Sequence, residues 1–262
     1  MTTLVEDRPV GVLLRQWRER RRMSQLQLAG LADVSARHVS FLETGRSRPT
    51  RAMLIRLSEQ LEIPLRERNS LLLAGGFAPA YPEHGLGDVP MASVARAIGQ
   101  ILHAYLPSPA VVVDRHWNLV DGNGAVAVLV DGCARHLLEP PVNVLRLSLH
   151  PEGMAPRIVN LGQWRAHLMH RLEHQIAVTG DTVLGGLAAE LAGYPCGDAA
   201  VDPEPGALVV PIRIRTVAGE LEFLSTTTVF GTPLDVTVAE LAIETFHPVD
   251  AATAAALREH VG

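Results

Sequence analysis

The sequence predicts two domains of different class: an all-α N-terminal unit of five short helices, then an α+β unit built on an antiparallel sheet. Three observations carry this reading. The net charge of −5 is a sum of opposites: residues 1–80 hold thirteen arginines against eight acidic residues, and residues 81–262 hold ten against twenty. Between the halves, Gly75 to Pro90 has seven Gly or Pro in sixteen positions, a density that interrupts regular structure. Apolar residues recur at helical spacing before that stretch and alternate in strand fashion near the C-terminus. The expected organisation is a domain over 1–76, a linker over 77–92, a second domain over 93–250, and a tail or short helix over 251–262.

The first helix places Val10, Leu13, Leu14 and Trp17 on one face and ends in Arg20-Arg21-Arg22, cations that suit the negative end of the helix dipole. Ser24 with Gln27 three positions on is an S-x-x-Q capping box opening the second helix. Ser35 caps a third helix, Ala36–Thr44, which turns Val39 and Leu42 inward and stops at Gly45. Thr50 caps a fourth, with Leu54, Leu57 and Leu61 on one side, and a fifth runs from Leu65 to Ala74.

The second half opens with an amphipathic helix over Ser93–Leu106. A β-rich run around Val111–Val113 follows, with Asp114-Arg115-His116 as its turn and a second short strand after it. The middle, 143–192, reads as helical with a break at His150–Pro156, and Tyr194–Gly206 reads as a loop. Three strands close the domain: Val209–Thr216, Leu221–Phe230 and Leu234–Phe246. In the first of these Ile212 and Ile214 alternate with Arg213 and Arg215, and the short connections favour antiparallel neighbours.

Composition removes several function classes. All 23 basic residues are arginine, so there is no phosphate-loop lysine, no Schiff-base lysine and no Ser–Lys self-cleavage pair. With 47% hydrophobic and 19% charged residues the chain reads as globular. Met1–Arg8 has no apolar signal-peptide core, and no apolar run approaches the ~18 residues of a membrane span. Cys133 and Cys196 lack metal-ligand spacing and read as reduced thiols, so the expectation is a cytoplasmic protein with no membrane association and no cofactor.

Ser24-Gln25, Leu28-Ala29, Val34-Ser35, Val39-Ser40, Glu43, Gly45 and Pro49 stand within 26 positions in the order S-Q-x-x-L-A, V-S, apolar-Ser-x-x-Glu-x-Gly-x-x-x-Pro. This segment resembles the XRE/Cro family of phage-repressor-like helix-turn-helix domains, over about residues 9–76. The motif places its third helix in the DNA major groove. Candidate groove and base contacts are then Ser35, Ala36, Arg37, Ser40 and Phe41, with Arg37 the best placed for a bidentate guanine contact. Gln25 at a helix start, His38 at the side, and Arg46 and Arg48 in the following loop are candidate backbone contacts. The resemblance also implies a structural ion pair between Arg18 and Glu43. The plainer alternative is that the arginines form only a solvated surface.

RHWNLVDGN (115–123), PPVNVLRLSLHPEGMAPRIVNLGQWRAHL (140–168) and LSTTTVFGTPLDVTVAELAIETFHP (224–248) resemble the MmyB-like ligand-binding domain, a PAS-like fold. With both halves in the expected order, the resemblance covers 9–250. It implies a homodimeric regulator of double-stranded DNA, with a palindromic operator and a small apolar or fatty-acid-like effector. Arg146, in the apolar run Val144–Leu147, needs either a ligand acid group or an internal partner such as Glu240 or Glu244. His150 and Trp164 are the other candidate ligand residues.

Two further patterns carry less. Gly122-Asn123-Gly124 with Ala127 spells a dinucleotide fingerprint, but the segment after it is proline-rich where a second strand is required. His167, His170 and His174 share one polar helix face and read as solvated rather than metal-binding. No catalytic constellation stands out. The alternatives to a ligand-controlled regulator are an enzyme with an appended helix-turn-helix module, using the Gly122 turn, and a ligand-independent repressor that dimerises through its C-terminal half.

Overall fold

A computed structural model describes residues 9–196 and 209–261. Met1–Arg8 and most of the Tyr194–Gly206 loop lie outside the described residues. The fold divides into two compact units. One holds residues 9–84 together with 177–180 and 232–239; the other holds the remaining described segments.

The first unit is built from α1 (Val10–Arg20), α2 (Gln25–Leu31), α3 (Ala36–Glu43), α4 (Arg51–Gln60) and α5 (Leu65–Ala74). Local chemistry sets the helix starts. Ser24 and Gln27 form the capping box, and Ser35 Oγ and Thr50 Oγ1 accept the His38 and Met53 N–H groups. Gly45, at φ 72°, ends α3 in the left-handed region that a side chain disfavours. Leu14, Trp17, Leu28, Val39, Leu42, Leu54, Leu57 and Leu71 form the core.

The seam between α1 and α3 depends on a missing side chain. A Cβ on Gly11 would lie 2.3 Å from the Leu42 carbonyl oxygen and 2.8 Å from that of Glu43. Gly11→Ala should therefore lower stability by about 1–3 kcal/mol through overpacking, although alanine is the better helix former. A urea melt checks it: a midpoint equal to or above wild type would show that α1 moves aside without cost.

The second unit begins with α6 (Ala92–Ala104), β1 (Ala110–Val113), β2 (Leu119–Gly122) and the short α7 (Ala127–Val130). It continues with α8 (Val144–Leu149), α9 (Leu161–Thr179) and α10 (Thr182–Ala192). After β3 (Ile212–Thr216) and β4 (Gly219–Val229) comes α11 (Val236–Ala239), which is counted with the first unit, and the second unit then ends with β5 (Ala242–Pro248) and α12 (Ala251–Val261). Among the described residues the sheet has five antiparallel strands in the order β2-β1-β5-β4-β3. β1 is buried on both faces. On one side Ile98 and Leu102 of α6 cover Ala110, Val112 and Ile243; on the other lies the larger core with Trp164, Leu168, Leu172 and Leu257.

One predicted strand is corrected. Leu234–Phe246 is not continuous: α11 occupies Val236–Ala239, and β5 starts only at Ala242. Asp235 Oδ1 accepts the Thr237 and Val238 N–H groups at 2.8 and 3.2 Å, an N-cap that starts a helical turn in a β-branched run. The Asp114 turn is formed as expected, with Asp114 Oδ1 accepting from the His116 and Asn118 N–H groups. The Gly122 fingerprint sits on β2, an antiparallel edge strand, and leads into a helix of only four residues, so the dinucleotide geometry is not formed.

Candidate functional site

Two separate sites emerge, one in each unit. In the first, α2 and α3 form the helix-turn-helix, fixed by an ion pair beneath it. Arg18 Nε donates to Glu43 Oε1 at 2.6 Å and Nη2 to Oε2 at 2.9 Å, while Nη1 donates to the Met23 carbonyl at 2.8 Å. The Glu43 side chain is 1% exposed, and the hydrogen bonds that Arg18 donates to it raise the guanidinium pKa. Gln25 Nε2 also donates to Glu43 Oε2, at 2.9 Å. Its side-chain amide is thereby tied to the α3 end.

The outer face of α3 collects most of the expected DNA residues. Ser35, Arg37, Arg46 and Arg48 are exposed, whereas Ala36, His38, Ser40 and Phe41 are half-buried. Phe41 is flanked by two cations, Arg37 at 5.1 Å and Arg46 at 5.9 Å from the ring centre. Stacking of this kind restricts the guanidiniums before any ligand arrives. Ser35 also has a structural duty as the helix cap: its hydroxyl oxygen accepts the His38 N–H, and its O–H proton is left to donate outward.

The second site is a cavity of about 70 Å³ between the sheet and α7, α8 and α9. Val111, Leu129, Leu145, Trp164, Ile212 and Phe246 supply apolar walls, and the charged groups in the lining are Arg171 and Glu244. Arg171 Nη1 and Nη2 donate to the two Glu244 oxygens at 3.2 and 2.7 Å. Thr227 Oγ1 donates to Glu244 at 2.7 Å and accepts from Arg171 at 2.8 Å. The guanidinium also lies 4.9 Å from the Trp117 ring. The Glu244 side chain is 6% exposed and that of Arg171 25%.

Of the three expected ligand residues, Trp164 lines this cavity and Arg146 and His150 do not. Helix α8 turns Leu145 and Ser148 inward and carries Arg146 on its other side. There Arg146 makes a bidentate pair with Glu190, at 2.6 and 2.8 Å, and not with Glu240 or Glu244. That pair holds the Glu190 carboxyl down to about 2, and burial followed by the hydrogen bond to Glu190 pushes the Tyr194 hydroxyl up to about 12. His150 Nδ1 accepts the Glu152 N–H at 3.1 Å, and its ring meets that of Tyr194 edge-on at 5.0 Å.

The histidine face is also divided. His170 and His174 are exposed as expected, but His167 is half-buried and stacks on Trp164 at 5.4 Å. Burial, reinforced by the charge of Arg171, lowers its pKa. Cys133 and Cys196 form no disulfide, and burial pushes the Cys133 thiol up.

Arg171 is not among the residues expected from the sequence, and Glu244 is expected only as a possible partner of Arg146, yet each had a signal as a cavity residue. Trp164, Leu168 and Arg171 stand at i, i+4 and i+7, which puts a cation on the buried helix stripe. Glu244 alternates with Ala242 and Phe246, so a strand there carries its carboxylate on the core face.

A helix-turn-helix unit joined to a sheet unit enclosing an apolar cavity defines a transcription regulator with a ligand-binding domain. The sequence matches the helix-turn-helix family over residues 14–68 and the MmyB-like transcription regulator ligand binding domain over residues 94–259. The chain belongs to the MmyB-like transcription regulators. A search of curated proteins gives no match. Among the described residues, no helix is long and apolar enough to cross a membrane.

Proposed function

We propose that the protein is a cytoplasmic, homodimeric, sequence-specific DNA-binding regulator whose operator affinity is set by a small apolar effector in the C-terminal cavity. The observation that carries the DNA assignment is the outer face of α3, where Phe41 holds Arg37 and Arg46 side by side. Arg37 reads a base edge, Ser35, Ala36, His38, Ser40 and Phe41 complete the groove surface, and Gln25, Arg46 and Arg48 hold phosphates. Two such helices in a dimer fit a palindrome with half-sites one duplex turn apart, about 34 Å.

The effector assignment rests on the apolar cavity with one polar end. An engineered apolar cavity of about 150 Å³ admits benzene, and ordinary ligand pockets run to about 300 Å³ or more. At about 70 Å³ the cavity must widen to hold an aliphatic chain. Binding then selects a widened conformation, which is the differential affinity that any control of DNA binding requires. The same small volume favours a second reading, in which the C-terminal unit acts without a ligand. Native mass spectrometry of the purified protein separates the two: a dimer carrying a lipid-like adduct supports the first, an empty dimer the second.

For the DNA site, operator titrations of variants provide the test. Arg37→Ala should relax preference at one base position by about 1–3 kcal/mol. Arg46→Ala should weaken all sequences alike and reduce the salt slope by about one. Wild-type footprints from both variants would remove α3 from the interface.

A further inference from the structure

We propose that the cavity selects an uncharged amphiphile, an aliphatic chain ending in an alcohol, aldehyde or ester, and discriminates against the free carboxylate of the same chain. This rests on the reading that the cavity is the effector site. The lining carries one cation and one anion, Arg171 and Glu244, and they already neutralise each other. Both Glu244 oxygens are engaged, by two Arg171 N–H groups and by the Thr227 hydroxyl. His167 adds no compensating charge, because burial and the neighbouring Arg171 hold it toward its neutral form.

A ligand carboxylate therefore meets one of two penalties. If it joins the pair, two carboxylates share one guanidinium in an apolar space, and one of them must take up a proton. If it displaces Glu244 from Arg171, it leaves a nearly buried carboxylate without its ion-pair partner. A neutral head group incurs neither. The remaining polar lining suits one: Ser148, whose hydroxyl oxygen accepts the Trp164 indole N–H at 2.9 Å, and Ser225, which adds a second hydroxyl. The arrangement accordingly takes a hydrogen-bonding but uncharged end, with the chain among Val111, Leu129 and Phe246.

The test is calorimetric titration of the full-length protein at neutral pH with decanol and with decanoate, in the wild type and in Glu244→Gln. In the wild type the alcohol should bind about tenfold or more tighter than the acid, the scale expected for a like-charge clash. Glu244→Gln removes the competing anion and leaves Arg171 unneutralised, so decanoate affinity should rise about tenfold or more and the discrimination disappear. Decanoate binding to the wild type as tightly as decanol overturns the proposal, whether or not the variant folds. If neither chain binds the wild type, the cavity is not an effector site. The proposal then falls with that reading, an outcome distinct from acid and alcohol binding equally.

Discussion

Glu43→Ala is expected to unfold the N-terminal unit at ordinary temperature and with it to abolish operator binding. Its carboxylate is the buried partner of Arg18 and also fixes Gln25 at the start of α2. Removing one member of a buried ion pair typically costs about 3–5 kcal/mol, because the other charge is left desolvated. A separate small helical unit has about 5 kcal/mol or a little more in total. Arg18 also approaches Glu19 at 3.7 Å, but that carboxylate is 52% exposed and replaces little of the lost field. Glu43→Gln, which keeps the shape and one acceptor, should fall between. Circular-dichroism melts of the full chain, with operator titration alongside, provide the check. An alanine variant that melts with wild type would show that the pair carries no weight.

The second large effect concerns the cavity. Arg171→Met leaves the Glu244 carboxylate, 6% exposed, with the Thr227 hydroxyl as its remaining described donor. The expected loss is again about 3–5 kcal/mol, now in the melt of the C-terminal unit. The informative comparison is the double variant Arg171→Met with Glu244→Leu. Replacing a buried pair by apolar groups of similar volume is commonly neutral, or stabilising by about 1–4 kcal/mol. The double variant should thus recover wild-type stability or exceed it. Recovery would mean that the pair is kept at a cost to the fold, which is the pattern of a functional group. A double variant as unstable as the single would make the pair structural.

The N-terminal unit was legible because its determinants are local. Ser24 with Gln27, Ser35, Thr50 and Gly45 each act within four positions, so their spacing alone sets helix starts and stops. The Arg18–Glu43 pair spans 25 positions and came only through family resemblance. The C-terminal unit was harder for a definite reason. Val236–Ala239 lies in a β-branched run that reads as strand, and the Asp235 cap overrides that preference over a single turn. For Arg146, the apolar neighbours gave the need for a partner but not its direction. The helix turns that side chain out of the core to Glu190, 44 positions away in sequence. Conversely, Arg171 lies one turn beyond Leu168 on the buried stripe of α9, of which Trp164 alone is expected at the ligand site from the sequence.

Glu244 stands on β5, the strand with β1 on one side and β4 on the other. Val111 and Thr227 are its register partners, so its backbone is clamped from both edges. Arg171 reaches it from a helix, by a side chain with several rotatable bonds. The two ends of the pair are mechanically unequal, like a post set in a wall and an arm that can be lifted from it. Anything wedged into the cavity meets a sheet that holds its register and a helix held by separable bonds. The work of entry is therefore directed into α9 and its neighbours, and the carboxylate stays as the fixed reference against which that displacement is felt.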